Sequence, residues 1–139
     1  MIIVHDLSQA KAALAAAVKC GCKVILRNSP GSSAAAGPGI FAEQIALARQ
    51  DHDDGFGGAL FDCGDQAGLA MAAVRRGGCD LLIDLPVEIT AKIKDMATQA
   101  GIRAIDKLDA DVLDLGATDY PEQAVPEQAI IDFLETSRQ

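Results

Sequence analysis

Acidic residues follow two apolar runs near the centre of the chain. Asp62 comes directly after the run 59–61, and Asp84 comes directly after the run 81–83. A helix-forming stretch ending at Gly77-Gly78 separates the runs, which is the pattern of a βαβ unit with parallel strands. Because parallel strands end at the same edge of a sheet, we expect Asp62 and Asp84 to face one cleft. Paired carboxylates suit Mg²⁺, so these two residues are predicted to bind a magnesium ion.

A small-residue loop follows the second predicted strand. The apolar run 24–26 leads into Arg27-Asn28 and then into the loop 29–39, with the sequence SPGSSAAAGPG. The guanidinium of Arg27 and the backbone N–H groups of this loop could bind a phosphate, and we expect the loop to be mobile without a ligand. It is not a P-loop, because no Gly-Lys-Ser/Thr follows it, and the chain lacks a GxGxxG fingerprint. The predicted ligand-binding residues are Arg27, Asn28, Ser32, Ser33 and Asp65.

Two residues at other strand ends are candidate catalytic groups. His5 follows the first predicted strand, where a general base could reach the centre of a ring of polar residues. Lys107 follows the fifth predicted strand, and a desolvated lysine can form a Schiff base. The alternative interpretation is structural: strands must end in something polar, a histidine there can simply be hydrogen-bonded, and a lysine can simply face solvent.

The elements that would position these residues form a repeating βα pattern. Apolar runs at 2–4, 24–26, 59–61, 81–83 and 102–105 are predicted strands, with helices between them. The pattern predicts one α/β domain over residues 1–139, with a mostly parallel five-stranded sheet and helices on its faces. The architecture would be flavodoxin-like or half of a (β/α) barrel. In both, ligands bind at the carboxyl ends of the strands.

An additional apolar segment at 112–115 does not fit the repeat. Only about five residues separate it from Asp106, whereas a parallel neighbour needs a crossover of a dozen or more. We therefore expect an antiparallel strand, an irregular extension or a strand in another sheet.

Helix boundaries and faces can also be predicted. Ser8 is a plausible N-cap for the first helix. A helix at 40–50 would bury Phe41, Ile45 and Ala48. The helix at 88–99 should bury a stripe of isoleucine, methionine and alanine and point Thr90 outward. The stripe consists of Ile89, Ile93, Met96 and Ala100.

The composition narrows the classes of function. The formal net charge is -8, which argues against nucleic acid or an anionic membrane as a partner. No apolar run approaches the roughly 20 residues that a membrane span needs, and the run 1–4 is too short for the core of a signal peptide. The four cysteines are expected to be reduced and structural, with Cys20-Gly-Cys22 offering only half of a tetrahedral metal site. These features predict a cytoplasmic protein.

Two families resemble parts of the chain. The repeated helix–Gly–strand units over residues 1–106 resemble those of phosphate-handling (β/α)-barrel enzymes, such as small sugar-phosphate aldolases. The segment 80–86 (DLLIDLP) resembles the strand that bears the phosphorylated aspartate of response-regulator receiver domains, and Lys107 follows the fifth strand as their lysine does. This chain departs from the receiver pattern because Asp84 ends its fourth strand and Asp6 stands without a second acidic residue.

Together these features predict a small-molecule-binding protein or enzyme that acts on a phosphorylated or anionic metabolite, with Mg²⁺ as candidate cofactor. The alternative is a non-enzymatic regulatory or scaffold protein with a receiver-like fold. Exposed sheet edges are usually covered, so a homodimer is expected. The alanine-rich first helix and Phe133-Leu134 are the predicted dimer surfaces.

Overall fold

A computed structural model describes residues 1–29, 33–116 and 127–137, without the side chains of 33–36. The strands are β1 Ile2–Val4, β2 Val24–Asn28, β3 Phe56–Gly64, β4 Asp80–Ile83, β5 Ala104–Ile105 and β6 Leu113–Asp114. The helices are α1 Leu7–Cys20, α2 Ser33–His52, α3 Ala67–Arg76, α4 Val87–Gln99 and α5 Glu127–Ser137, with a short 3-10 helix at Asp53–Gly55.

All six strands pair in parallel, in the order β5-β4-β3-β2-β1-β6. From β1 to β5 each strand lies beside the next one in the chain, because each helical crossover moves the chain by one strand in the same direction. The predicted α/β class with a parallel sheet is confirmed. A flavodoxin-like arrangement of parallel strands joined by helices fits, and the sequential order is also that of half a (β/α) barrel.

The helices form one layer. They contact one another in the same sequence as the strands, with α1 between α2 and α5, α2 against α3, and α3 against α4. Right-handed crossovers that always step the same way leave their helices on the same side of a sheet. The strand residues in the core confirm this, because Phe61 and Leu81 belong to the core cluster whereas their neighbours Leu60 and Leu82 do not.

This packing uses the surfaces that were predicted for a dimer. The α1 alanines Ala10, Ala13, Ala16 and Ala17 are buried in the core, and Leu134 of α5 is only 5% exposed. Alanine lets α1 lie close to the sheet and to both neighbouring helices. The α1 alanines and Leu134 are therefore covered within the protein itself, whereas Phe133 is only partly buried and its part of the predicted dimer surface stays a prediction.

The other side of the sheet, which we call the open face, carries the alternate strand residues. These are Ile25, Arg27, Leu60, Asp62 and Leu82, with Ile3 on β1. Its cover in the described part of the chain is the segment 106–112, which we call the strap. Leu108 of the strap lines a cavity with Ile25 and Leu60 and a second cavity with Arg27 and Asp62.

The strap explains why the prediction for residues 112–115 is wrong. The strap crosses the open face, so β6 does not lie beside β5 but pairs in parallel with β1 at the opposite edge of the same sheet. Leu113 and Leu115 donate backbone hydrogen bonds to the carbonyls of Met1 and Ile3. The short connection excludes a parallel neighbour of β5, which would need a crossover of a dozen or more residues. It does not exclude a parallel strand at the far edge, which the strap reaches by crossing the open face.

Two local predictions on the helices are also wrong. Asp6, and not Ser8, caps α1: its carboxylate accepts a hydrogen bond of 2.8 Å from the backbone N–H of Gln9. In α4 the predicted stripe holds at Ile93, which is buried, and at Met96, which is partly buried, but Ile89 and Ala100 are exposed. Thr90 is buried instead of pointing outward. Burial of Thr90 is possible because its hydroxyl donates to the carbonyl of Leu85, which removes the cost of an unpaired polar group.

Other elements agree with the sequence. Phe41, Ile45 and Ala48 are buried on α2, as predicted. This helix starts earlier than predicted, at Ser33, and is interrupted at Gly37, whose φ of 74° is a left-handed conformation that favours glycine. Pro38 then starts the regular part of the helix.

Candidate functional site

A cavity of about 430 Å³ lies at the carboxyl ends of β2, β3 and β4, on the open face and under the strap. Its volume is within the range of small-molecule sites. The residues that line it are Arg27, Asp62, Gly64, Leu82, Ile83, Asp84, Asp106, Leu108, Ala110 and Val112. The structure thus places Asp62 and Asp84, the predicted metal ligands, in one cavity with Arg27.

Arg27 and Asp62 form a shielded ion pair in this cavity. Nη2 of Arg27 donates to Oδ2 of Asp62 at 2.6 Å, and the two side chains are 14% and 10% exposed. The other oxygen of Asp62 accepts a 2.9 Å hydrogen bond from the backbone N–H of Gly64. Both oxygens of Asp62 are therefore used by the protein, and this carboxylate holds Arg27 in place.

Arg27 keeps donors to spare. A guanidinium has five N–H groups in a fixed plane. Nε of Arg27 is buried and has no hydrogen-bond partner within the described ranges 1–29, 33–116 and 127–137. A buried donor without a partner is costly, so a ligand oxygen that satisfied the guanidinium would be bound favourably.

Asn28 has a structural role beside the ion pair. Its side-chain oxygen accepts a 2.6 Å hydrogen bond from the backbone N–H of Asp62, and its amide donates to the carbonyl of Asp62 at 3.4 Å. These bonds replace ladder hydrogen bonds between the ends of β2 and β3. Asn28 therefore fixes Asp62 rather than facing a ligand.

Asp84 and Asp106 differ in their partners. A hydrogen bond from Lys94 at 3.0 Å lowers the pKa of Asp106 below its ordinary value. Asp84 is exposed, and its carboxylate has no hydrogen-bonding or ion-pair partner in the part of the chain that is described. Since Arg27 offsets Asp62 and Lys94 offsets Asp106, Asp84 supplies the uncompensated negative charge of the cavity.

No group of three or more His, Cys, Asp or Glu side chains in the described residues is arranged to hold a metal ion. A magnesium site here would therefore need water and substrate oxygens to complete its coordination. That arrangement is usual for Mg²⁺, which keeps several waters and often binds through one or two carboxylates and a phosphate.

His5 is held by a residue that sequence reasoning missed. Its Nε2 lies 2.6 Å from Oδ1 of Asp114, and both side chains are 33% exposed. The same oxygen accepts a 2.9 Å hydrogen bond from the backbone N–H of Gly116, and a Cβ at Gly116 would overlap the His5 ring. A carboxylate that fixes one imidazole nitrogen leaves the other for proton transfer.

The two ion pairs are electrostatically linked. Burial alone would raise the pKa of Asp114, but the hydrogen bonds from His5 and Gly116 and the positive charges of His5 and Arg27 lower it overall. No sequence signal identifies Asp114, because it lies 109 positions after His5 on a strand whose place in the sheet the sequence does not indicate.

Replacing Asp114 with asparagine should reduce the loss of stability in acid. The pKa of this carboxyl is lowered in the folded protein, so its contribution is complete above the ordinary value of 3.8 and is lost as the pH falls below it. The free energy of unfolding, measured with urea at about pH 5 and about pH 3, should therefore fall less between the two pH values for Asp114→Asn than for the wild type. The exposed Asp54→Asn should behave like the wild type. An identical decrease in Asp114→Asn would contradict the pairing with His5.

The remaining predicted site residues lie elsewhere. Asp65 and Lys107 are exposed and do not line this cavity. Ser32 lies outside the described residues, as does the side chain of Ser33. Residues 33–39 of the predicted loop belong to α2, and the predicted mobility of 29–39 stays a prediction. Burial raises the pKa of the Cys63 thiol to about 12, which suits an inert structural cysteine.

No family model, no curated protein and no solved structure matches the chain in comparisons with known proteins. The resemblances to sugar-phosphate aldolases and to receiver domains therefore stay predictions. The side chains and charges of the cavity are the basis on which a function can be inferred.

Proposed function

We propose that the protein binds a phosphorylated small metabolite, as its Mg²⁺ complex, in the cavity under the strap. The observation that carries this proposal is that Arg27, which has unused donors, and Asp84, which has an uncompensated charge, line the same cavity. Arg27 would bind phosphate oxygens, and Asp84 would bind the cation. The proposal keeps the cation that the sequence suggests but assigns it to Asp84, since Asp62 already uses both its oxygens.

The charge balance explains why the cation is part of the proposal. A phosphate dianion alone would be repelled by Asp84 and by the net charge of -8. A magnesium ion between Asp84 and the phosphate removes this repulsion and needs few protein ligands. Binding should therefore depend on the cation, which is a more specific expectation than binding of any anion.

In an enzyme of this kind His5 would act as general base or acid. Asp114 fixes its ring, and the charge of Arg27 reaches Asp114, so the pair belongs to the same polar surface as the cavity. The position at the carboxyl ends of parallel strands is where α/β proteins place their ligands. Lys107 is exposed, which does not favour a Schiff-base role.

The variant Asp84→Asn tests the proposal. We expect the wild type to bind glycerol 3-phosphate about tenfold or more tightly with Mg²⁺ than without it, whereas Asp84→Asn should lose most of this difference. Isothermal titration calorimetry with and without Mg²⁺ measures both affinities. Asp54→Asn, an exposed aspartate near the opposite end of β3, is the matched control. Absence of binding in both conditions would refute the proposal and favour the regulatory or scaffold alternative.

Two expectations about context accompany this proposal. In the described ranges no helix combines the length and the apolar character needed to cross a membrane, and we propose a cytoplasmic location. We also keep a homodimer as a proposal, although on a surface other than α1 or Leu134. In the described residues the sheet ends in β5 at one side and β6 at the other, and a sheet edge is a place where a second copy can pair.

A further inference from the structure

A second cavity, of about 120 Å³, lies on the open face next to the first. Its lining includes Ile25, Gly58, Leu60, Asp80, Arg103 and Leu108. Leu108 is the residue that lines both cavities, so its side chain separates the polar cavity from this second one.

The second cavity suits an apolar group. Its charged residues satisfy each other, because the Arg103 side chain donates to Oδ2 of Asp80 through Nε at 3.2 Å and through Nη2 at 3.0 Å. Gly58 contributes no side chain, which leaves space beside Ile25 above β3. Met1 also lines it, with its amino group donating to the carbonyl of Asp111. The remaining side chains are aliphatic, including Ile25, which is 38% exposed on the sheet surface. Burying such a surface under a hydrocarbon group is favourable.

The strap is held at its ends rather than at its middle. At one end Asp106 pairs with Lys94 at 3.0 Å, and at the other the carbonyl of Asp111 accepts a hydrogen bond of 3.2 Å from the Met1 amino group. Residues 107 and 109–112 are exposed, and Leu108 is only partly buried. Few buried contacts oppose a movement of Leu108, which is the condition for local rearrangement.

We infer that the ligand of the polar cavity carries a short apolar group beside its phosphate, and that this group enters the second cavity by displacing Leu108. This inference rests on the proposed function and adds the substrate class: a phosphate monoester of a small aliphatic group. The two cavities meet along the open face, so the phosphate would stay near Arg27 while the apolar group extends toward Ile25.

A series of alkyl phosphates tests the inference. In the presence of Mg²⁺ the wild type should bind methyl, ethyl and propyl phosphate with an affinity that rises roughly three- to fourfold per added methylene. Leu108→Trp, which fills the space between the cavities, should lose this dependence on chain length. Leu108→Ala, which leaves the space open, should keep the dependence on chain length. Leu47→Ala, at an exposed leucine of α2, is the control for a general loss of apolar surface.

The outcomes separate the inference from the proposed function. If methyl phosphate binds but the wild type shows no dependence on chain length, the second cavity is not a subsite, although the phosphate site stands. An unchanged dependence in Leu108→Trp, with thermal unfolding showing a folded variant, would also overturn the inference. If no phosphate binds with or without Mg²⁺, the proposed function fails, and the inference fails with it.

Discussion

Replacing Arg27 with methionine should lower the free energy of unfolding by about 3–5 kcal/mol, because it leaves the buried carboxylate of Asp62 without its counter-charge. The pair is well shielded, with side chains 14% and 10% exposed. The variant should also lose Mg²⁺-dependent phosphate binding, since the guanidinium is the proposed phosphate ligand. Urea unfolding followed by circular dichroism measures the first effect, and calorimetry measures the second.

Two further variants make this result specific. In the double variant Arg27→Met with Asp62→Leu, most of the stability should return, since apolar residues can often replace a buried ion pair. Lys94→Met breaks the exposed pair with Asp106, where only a small loss of stability is expected because solvent screens the charges. Equal losses for Arg27→Met and Lys94→Met would show that Arg27 and Asp62 behave as an ordinary solvated pair.

Replacing Phe61 with alanine should cost about 3–5 kcal/mol of stability, the range for a fully buried phenylalanine. Phe61 is 1% exposed, and its ring centroid lies 5.8 Å from that of Phe41 on α2. Truncation would leave a void between β3 and the helix layer. Urea unfolding again provides the measurement.

The control for this variant is Val87→Ala, because Val87 is 86% exposed at the start of α4. The free energy of unfolding of Val87→Ala should stay within about 0.5 kcal/mol of the wild-type value. Phosphate binding by folded Phe61→Ala should be retained, since Phe61 faces the helices while its neighbour Asp62 faces the cavity. A loss of stability below about 1 kcal/mol would contradict the placement of Phe61 in the core.

Local patterns account for most of the fold that the sequence predicts. The central unit is the clearest case: α3 at 67–76 and β4 follow from apolar runs, glycine and helix-forming residues. The predicted strand 59–61 lies inside β3, which is longer than predicted and continues past Asp62 to Gly64. Each of these signals lies within a few residues, and the parallel pairing follows from the helix between the strands. Parallel strands end at one edge of the sheet, and this brings Arg27, Asp62 and Asp84 to one cavity.

The details of the site depend on contacts between distant parts of the chain. Arg27 and Asp62 are 35 positions apart, and both are predicted as site residues, yet only the register between β2 and β3 makes them partners. Thr90 shows the same limit within one helix, because its burial depends on the carbonyl of Leu85. Hydrophobic periodicity contains no information about such hydrogen bonds.

The position of β6 beside β1 has a consequence for how the protein folds and opens. Pairing elements from opposite ends of the sequence requires closure of a very long loop, so this edge should form after the local βα units. A partly opened form in which β6 has detached would retain the pair of Arg27 and Asp62, which lies between β2 and β3. It would lack Asp114 beside His5, and its strap would be free at one end. Such a sub-global opening would give a ligand access to both cavities while most of the sheet remains intact.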